Sequence, residues 1–298
     1  MHSFILWSFS VFILLQAMLS TVVADDSQEW EFENWDDYAH DSLAPKSRWL
    51  RAWGVPEKHG WSWPQHITSK TSNYAVVSDP ADSDGSKVLR VTYPKGSRNP
   101  QYFPQGGIGF YAQPIEIDDT VQTVILEYQV YFSKKFNFMK GGKLPGIFGG
   151  SGQCSGGTNS RTCFSTRFMW RRGGAGEVYS YIPESKQRPG LCEEEGNICD
   201  PHYGYSLGRG NWRFKTGVWT TVRQSITLNT PGELDGHINV DVNGERVYSE
   251  ERMAFRESRT GQNMGIVFQS FFGGSDESWE SPKKQHTYYK GFIFETST

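Results

Sequence analysis

Apolar and polar positions alternate in short runs over most of the chain, and this pattern predicts β-strands. In the clearest run, Leu126, Tyr128, Val130 and Phe132 occupy every second position, so they share one face of an extended segment. Gly, Asn, Asp and Pro separate the runs, as they do between strands joined by tight turns. The predicted strands are residues 87–93, 123–132, 164–171, 177–182, 219–228, 236–242, 264–272 and 287–294.

The succession of these runs predicts a single all-β domain. Asn243-Gly244 separates two of them, and both residues accept the positive φ that a two-residue hairpin turn requires. The sequence shows no helix of useful length and no internal repeat. Many short strands with turns between them are typical of a β-jelly roll, a sandwich of two antiparallel sheets with a concave cleft. We expect residues 43–298 to form this domain, which is long enough to bury its own core.

The N-terminal part of the chain has a different pattern. Residues 4–19 are mostly apolar and small residues follow, which is typical of a secretory signal peptide over residues 1–24. A membrane anchor is the alternative, although the apolar run is short and interrupted for a membrane span. Residues 25–42 carry eight acidic and no basic side chains, and we expect them to form a weakly ordered leader or a strand-like flap.

Four tryptophans, Trp49, Trp53, Trp61 and Trp63, lie close together after this leader. Their indole rings could stack on sugar rings, or they could form a plug that covers the sheet. We favour the plug, because fully exposed tryptophans are rare.

The four cysteines predict two disulfides rather than free thiols or a metal site, because their number is even and the leader indicates secretion. The spacing suggests the local pairs Cys154–Cys163 and Cys192–Cys199. No Cys-x-x-Cys or histidine pair at ligand spacing accompanies them, so neither a metal nor another cofactor is predicted.

The net charge of −3 hides a basic region. Eight of the 33 acidic residues fall in the leader, so the rest of the chain, with 30 basic residues, has a positive balance. Residues 129–176 contain no acidic side chain and predict a surface that receives an anion. A nucleic acid is not the expected partner, because the chain has no recognition motif. The basic residues of this region are Lys134, Lys135, Lys140, Lys143, Arg161, Arg167, Arg171 and Arg172.

Two pairs of polar residues in this region are spaced for a common strand face. If the strands pair across residues 172–175 so that partner numbers sum to 346, Arg167 lies opposite Tyr179 and Ser165 lies opposite Tyr181. All four side chains then occupy one face. A solvent-facing sheet surface with ordinary Arg–Tyr pairs is the alternative.

These motifs resemble polysaccharide lyase family 14, whose characterised members cleave alginate or glucuronan. The resemblance rests on Gly-Gly-Lys-Leu-Pro-Gly-Ile-Phe-Gly-Gly at residues 141–150, Ser-x-Arg at 165–167 and Tyr-x-Tyr at 179–181. It covers roughly residues 121–298 and implies a β-jelly roll with a substrate cleft. The further matching segments are Trp219-Thr-Thr-Val-Arg-Gln, the hairpin at residues 235–247 and Phe268-Gln-Ser-Phe-Phe-Gly-Gly.

The resemblance implies β-elimination at Lys143, Ser165, Arg167, Tyr179 and Tyr181. A uronate loses its C5 proton only after its carboxylate is neutralised, and the guanidinium of Arg167 suits that task. Lys143 is expected to be the base, Tyr179 or Tyr181 the acid, and Ser165 an orienting group. The basic surroundings are expected to lower the pKa of both the lysine and the tyrosines.

Further residues are expected to bind substrate, namely Arg171, Arg209 and Gln269. Arg209 and Arg213 could contact further uronates along the cleft, or they could be solvated or paired. The polar loop at residues 273–286, which contains Trp279, Lys283 and Lys284, could cover the cleft.

The expected function is that of a secreted, extracellular, monomeric lyase that cleaves 1,4-linked polyuronates. A non-catalytic protein that binds acidic polysaccharides is the main alternative. A glycoside hydrolase is disfavoured, because it needs two carboxylates and Glu116-Ile-Asp118-Asp119 lacks the following acid of the familiar motif.

Overall fold

The computed structural model describes residues 27–33, 35–41, 46–64, 73–82, 84–151, 154, 160–200, 203–258 and 264–298. The predicted signal peptide lies outside these residues. Within them, no helix is both long and apolar enough to cross a membrane. The elements are β1 (Gln28–Phe32), α1 (Arg48–Ala52), β2 (Trp61–Trp63), β3 (Tyr74–Ser78), β4 (Lys87–Tyr93), β5 (Ile108–Ala112), β6 (Thr123–Phe132), β7 (Gly141–Gly150), β8 (Cys163–Arg171), β9 (Gly176–Tyr181), β10 (Ile198–Asp200), β11 (Gly204–Leu207), β12 (Trp219–Thr227), β13 (Gly236–Val242), β14 (Glu245–Met253), β15 (Gly265–Phe272) and β16 (Gln285–Ser297).

Two antiparallel sheets of eight strands form the sandwich. The first runs in the order β14, β13, β12, β6, β16, β4, β3, with β1 also paired to β16. The second runs in the order β10, β11, β9, β8, β7, β15, β5, β2. All eight predicted strands are present, and the predicted all-β jelly-roll architecture is confirmed. The predicted turn joins β13 to β14, where Asn243 and Gly244 have φ values of 52° and 84°.

Alternation along the strands builds the core between the sheets. In β6, Val124, Leu126 and Tyr128 are fully buried, while the residues between them are only partly buried. In β8, Phe168 and Trp170 point into the same core from the opposite sheet. The odd-numbered residues of β8 therefore face away from the sandwich, and this outer face holds the predicted site.

The expectation of a weakly ordered leader is wrong for the described part of residues 25–42. β1 pairs with β16, and Phe32 and Trp35 are buried in the core with ring centroids 4.8 Å apart. Trp30 and Phe32 face inward, whereas Glu29 and Glu31 are exposed. The acidic residues thus belong to an alternating strand, as in the strand-like alternative, and the folded domain includes it.

The tryptophan plug is confirmed. Trp49, Trp53 and Trp63 are buried, and Trp49 and Trp53 lie on and just after α1. Trp61 stacks on Phe110 with ring centroids 5.8 Å apart. These rings close one part of the sandwich rather than presenting faces to a sugar.

Both predicted disulfides are confirmed. Cys154–Cys163 and Cys192–Cys199 each have a Cα–Cα distance of 5.6 Å. All four cysteines are therefore committed to covalent pairs, which removes them as thiolate metal ligands.

Candidate active site

The hairpin of β8 and β9 has the predicted register. Arg167 pairs with Tyr179 and Ser165 pairs with Tyr181. Met169, Tyr179 and Tyr181 form an apolar cluster that is separate from the core between the sheets. The sequence therefore correctly placed four polar side chains on one outer face.

Lys143 reaches the same face from β7, which was not among the predicted strands. Its glycines were expected to permit close approach of a ligand, but the structure gives another reason. A Cβ atom at Gly142 would lie 2.1 Å from the Trp170 ring, and one at Gly146 would lie 2.0 Å from the Thr166 carbonyl oxygen. The glycines let β7 pack tightly against β8, and this packing compensates for their low strand propensity.

A β-bulge in β7 sets the direction of Lys143. Lys143 pairs with Met169, but Gly146 pairs with Arg167, so β7 has one more residue than β8 in this interval. As a result, Leu144 and Ile147 both enter the core. Pro145 lies within the irregular segment, where its missing N–H group costs no ladder hydrogen bond.

The Lys143 amine is enclosed by neighbouring side chains. The residue is 7% exposed, and Nζ lies 3.1 Å from the centre of the Tyr179 ring and 3.1 Å from Sδ of Met169. Burial, together with the positive charges of Arg167 and Arg171, holds the pKa of Lys143 well below its ordinary value. The direction is as expected, and it allows the amine to accept a proton.

The two tyrosines pack edge to face, with ring centroids 5.6 Å apart. Both are buried. The expected lowering of the pKa is wrong for Tyr179, since burial and the neighbouring Tyr181 raise its pKa above the ordinary value, and nearby arginines offset this only in part. Tyr179 therefore keeps its proton, which suits a proton donor.

Arg167 is a buried cation without an acidic partner among the described residues. It is 2% exposed, its guanidinium donates to Oε1 of Gln269, and its Nε has no hydrogen-bond partner. Gln269 in turn donates to the Tyr111 hydroxyl at 3.4 Å, and Cζ of Arg167 lies 5.2 Å from the centre of the Tyr181 ring. A buried guanidinium that has an unbonded N–H group and no acidic partner favours an anionic ligand.

Ser165 is held by the protein itself. Its hydroxyl donates to the Cys154 carbonyl oxygen at 2.8 Å, and the residue is 1% exposed. The bond ties the Cys154–Cys163 disulfide to the edge of the site. Only the lone pairs of Ser165 Oγ remain to orient a substrate.

Sequence reasoning missed Glu177, the residue directly after the acid-free region. Its side chain is fully buried and forms ion pairs with Arg171 at 2.7 Å and Arg209 at 2.6 Å. Burial raises its pKa, but the two guanidiniums and Ser206 outweigh that effect and hold the pKa below its usual value. The cluster is therefore not free of acid, and Arg209 is paired rather than simply solvated. Arg213 is different, because within the described part of the chain its side chain donates only to the Gly173 carbonyl oxygen, at 3.4 Å.

The loop at residues 273–286 brings Trp279 to the site. This ring packs on the cluster that contains Met169 and Tyr179, with the Lys140 amine 5.7 Å and the Arg171 guanidinium 5.8 Å from its centre. Beyond Trp279 lies a depression of about 510 Å³ whose lining includes Lys135, Lys140 and Arg172. Lys283 instead donates to the Lys135 carbonyl oxygen at 2.8 Å.

A comparison with family models identifies the family of the chain. The model described as Polysaccharide lyase 14 matches residues 81–292, which is most of the chain. The chain belongs to polysaccharide lyase family 14. The resemblance carried by residues 141–150 and the two short motifs is thereby confirmed.

Solved structures of alginate lyases are similar to this lyase. It is 33% identical to the PL-14 alginate lyase from Aplysia kurodai, with a TM-score of 0.74, covering 89% of this chain and 97% of that one. It is 27% identical to alginate lyase vAL-1 from Chlorella virus, with a TM-score of 0.61, covering 76% of this chain and 95% of that one.

A curated viral protein is also related to this lyase. The chain is 27% identical to Exolysin of Paramecium bursaria Chlorella virus 1 over 195 residues, which cover 58% of this chain and 29% of the relative. The match thus spans less than a third of that protein. The family and the similar structures identify the present protein as a polysaccharide lyase.

Proposed function

We propose that this family 14 lyase is secreted and cleaves alginate, a 1,4-linked polyuronate, by β-elimination. The observation that carries the proposal is the enclosed Lys143 amine, which contacts Tyr179 on a face that also holds the Arg167 guanidinium, whose Nε has no hydrogen-bond partner. A protein that only binds polysaccharide gains nothing from a buried lysine whose pKa is lowered. Alginate is favoured over glucuronan by the two alginate lyases reported above.

In the proposed reaction, Arg167 binds the carboxylate of the uronate and neutralises its charge. This makes the C5 proton acidic enough for the neutral Lys143 amine to remove it. The electron pair of the C5–H bond forms the C4–C5 double bond, and the C4–O4 bond breaks. Tyr179 or Tyr181 donates its phenolic proton to O4. Proton exchange with water then returns both groups to their starting states, and the product carries an unsaturated uronate end.

Arg171, Arg209 and Trp279 are proposed to bind the neighbouring sugar residues. Arg209 keeps 31% of its side chain exposed although it pairs with Glu177, so its remaining N–H groups are accessible to a second carboxylate. Trp279 offers a partly buried ring beside Arg171. Both features fit a polyanionic chain that passes over the sheet.

Secretion is proposed on two grounds. The described residues contain two disulfides, which form in oxidising compartments. The apolar run at residues 4–19 has the pattern of a signal peptide.

The test is to incubate the mature protein with polymannuronate, polyguluronate and polyglucuronate and to follow the ultraviolet absorbance of the unsaturated product. We expect absorbance to rise with the alginate blocks, and we expect Lys143→Ala to remove the rise. Binding to these polymers without any rise would contradict catalysis and favour the binding protein. A rise with polyglucuronate alone would contradict only the choice of alginate.

A further inference from the structure

Glu177 is a buried acid that the proposed reaction does not use. Its Oε1 accepts a hydrogen bond from Nε of Arg171 at 2.8 Å and forms an ion pair with Nη2 of the same residue at 2.7 Å. Its Oε2 accepts bonds from Nε of Arg209 at 2.6 Å and from Oγ of Ser206 at 2.5 Å. Because three hydrogen-bond donors and two guanidiniums occupy the carboxylate and its side chain is 0% exposed, it is not available to take a proton from a substrate.

The position of Glu177 on β9 links it to the reacting groups. It precedes Tyr179 by two residues, so both side chains lie on the outer face of the sheet. It also pairs across the ladder with Met169, the residue that contacts the Lys143 amine. The carboxylate therefore lies beside the amine and the phenol, although it touches neither.

Glu177 fixes the orientation of Arg171. The Arg171 guanidinium is bound through two nitrogens to one carboxylate oxygen, and its Cζ lies 5.7 Å from the centre of the Tyr179 ring. A buried guanidinium that loses its carboxylate must find another partner or move toward water. Loss of Glu177 would accordingly release Arg171 from the tyrosine.

Positively charged groups outnumber negatively charged groups around Lys143. On the other side of β7, β15 places the uncharged Phe271 opposite Lys143. Three arginines lower the pKa of Lys143, and Glu177 is the group that opposes them. The charged or titratable groups that face Lys143 are Arg167 and Arg171 from β8, Glu177 and Tyr179 from β9, and Arg209 beyond β11.

We propose that Glu177 is a positioning residue that holds Arg171 beside Tyr179 and supplies the negative charge that balances the arginines around Lys143. The inference rests on the proposed function, because it assigns Glu177 a role in the proton transfers of that reaction. Its consequence concerns the pH range of catalysis. The base must be neutral to act, so activity rises with pH through the pKa of Lys143. Without the charge of Glu177, this pKa falls further and the rise moves to lower pH.

The experiment measures the pH profile of kcat/KM on alginate for the wild-type enzyme and for Glu177→Gln. The variant keeps the shape of the side chain and removes its charge. We expect kcat to fall by about tenfold to a hundredfold, because Arg171 is displaced, and the acidic limb of the profile to shift to lower pH. Glu177→Asp keeps the charge but shortens the reach, so it should lower kcat with a smaller shift of the limb.

Glu250→Gln is the matched control. Glu250 is another buried carboxylate that binds an arginine, Arg188, at 2.6 Å, but it does not face Lys143. This variant should leave the limb in place even if it lowers the melting temperature.

A second pair of variants covers the case in which Glu177→Gln does not fold. Arg171→Met removes a positive charge and should move the acidic limb to higher pH. Arg171→Met/Glu177→Gln leaves no guanidinium at position 171 to be buried unpaired, and its limb should lie at lower pH than that of Arg171→Met alone. Limbs that coincide within each pair overturn the inference, whatever happens to kcat. A wild-type enzyme that is inactive on every polyuronate would instead overturn the proposed function.

Discussion

The Nζ atom of Lys143 lies 3.1 Å from the centre of the Tyr179 ring. The face of an aromatic ring attracts an ammonium group, which by itself would favour the charged lysine. Burial and the nearby guanidiniums act in the opposite direction and prevail, so the pKa of Lys143 is lowered. The contact thus holds a readily neutralised amine in a fixed place against the residue that is best suited to keep its proton.

Replacing the amine tests the base. Lys143→Met replaces the lysine with an unbranched apolar side chain of similar length. We expect it to lower kcat by about 10²–10⁴-fold, the usual contribution of a general base. The melting temperature should be unchanged or higher, because the variant removes a buried polar group. Lys140→Met, three residues earlier and beside Trp279, is the control and should retain most of kcat. Comparable losses in both variants would contradict the role of Lys143.

Removing one phenol at a time tests the acid. We expect Tyr179→Phe to abolish most activity, because its pKa is raised and its ring contacts the base. Tyr181→Phe removes the other phenol and leaves this contact intact. Steady-state kinetics and the alkaline limb of the pH profile separate the two variants. If Tyr181→Phe alone removes activity and the alkaline limb, Tyr181 is the acid.

The two disulfides should differ in their effect on catalysis. Cys154 packs with Met169 and Tyr179, and its carbonyl oxygen holds Ser165. We expect the Cys154→Ser/Cys163→Ser variant to lose about tenfold or more in kcat through misplacement of the site. The melting temperature and kcat of this variant, measured together, separate an effect on stability from an effect on catalysis.

Cys192→Ser/Cys199→Ser is the control for that experiment, since Cys199 lies on the edge strand β10. Each double variant should be less stable by about 2–3 kcal/mol, because both disulfides close short loops. Equal kcat in the two variants would contradict a link between the Cys154–Cys163 disulfide and the site.

Acid should destabilise the fold through His286. Burial, together with Arg90 and Lys284, lowers the pKa of His286 to about 4, and its Nδ1 is 3.1 Å from Oγ1 of Thr92. At pH values between about 4 and 6.5, His286 is protonated in the unfolded chain but stays neutral in the folded chain. The free energy of unfolding should therefore fall as the pH decreases from about 6.5 to about 4, by up to about 2–3 kcal/mol.

Denaturant unfolding at several pH values measures this effect. His286→Gln should flatten the decrease over that pH range. His40→Gln, at an exposed histidine, should not. An unchanged slope in His286→Gln would contradict the assignment.

Much of the site was predictable because it depends on the alternation of side chains between the two faces of a strand. Once the turn at residues 172–175 is recognised, a register sum of 346 places Arg167 opposite Tyr179, and any even sum keeps both on one face whatever the rest of the fold does. Glu177 escaped notice for the opposite reason. Its partner Arg209 lies 32 residues away on the chain, and no local pattern indicates that β11 returns beside β9.

Strand β7 was not predicted and strand β1 was only the alternative to a weakly ordered leader, for different physical reasons. The glycines of β7 lower its intrinsic strand propensity, and the packing of Trp170 against Gly142 that compensates for this is not visible in the sequence. In β1 the acidic residues suggested disorder, although Trp30 and Phe32 alternate with them. The alternation of aromatic and acidic residues, rather than the net charge, determines the structure of this segment.

The extra residue in β7 makes the reaction depend on a count. Deleting Pro145 would make the ladder with β8 regular and would leave Lys143 and Ile147 on their present faces. On the other edge of β7, however, the four residue steps of β15 from Val267 to Phe271 would then lie against two steps of β7 instead of three. In this fold, a single-codon deletion therefore can shift Gln269 of β15 away from Arg167 without changing any side chain that takes part in the chemistry.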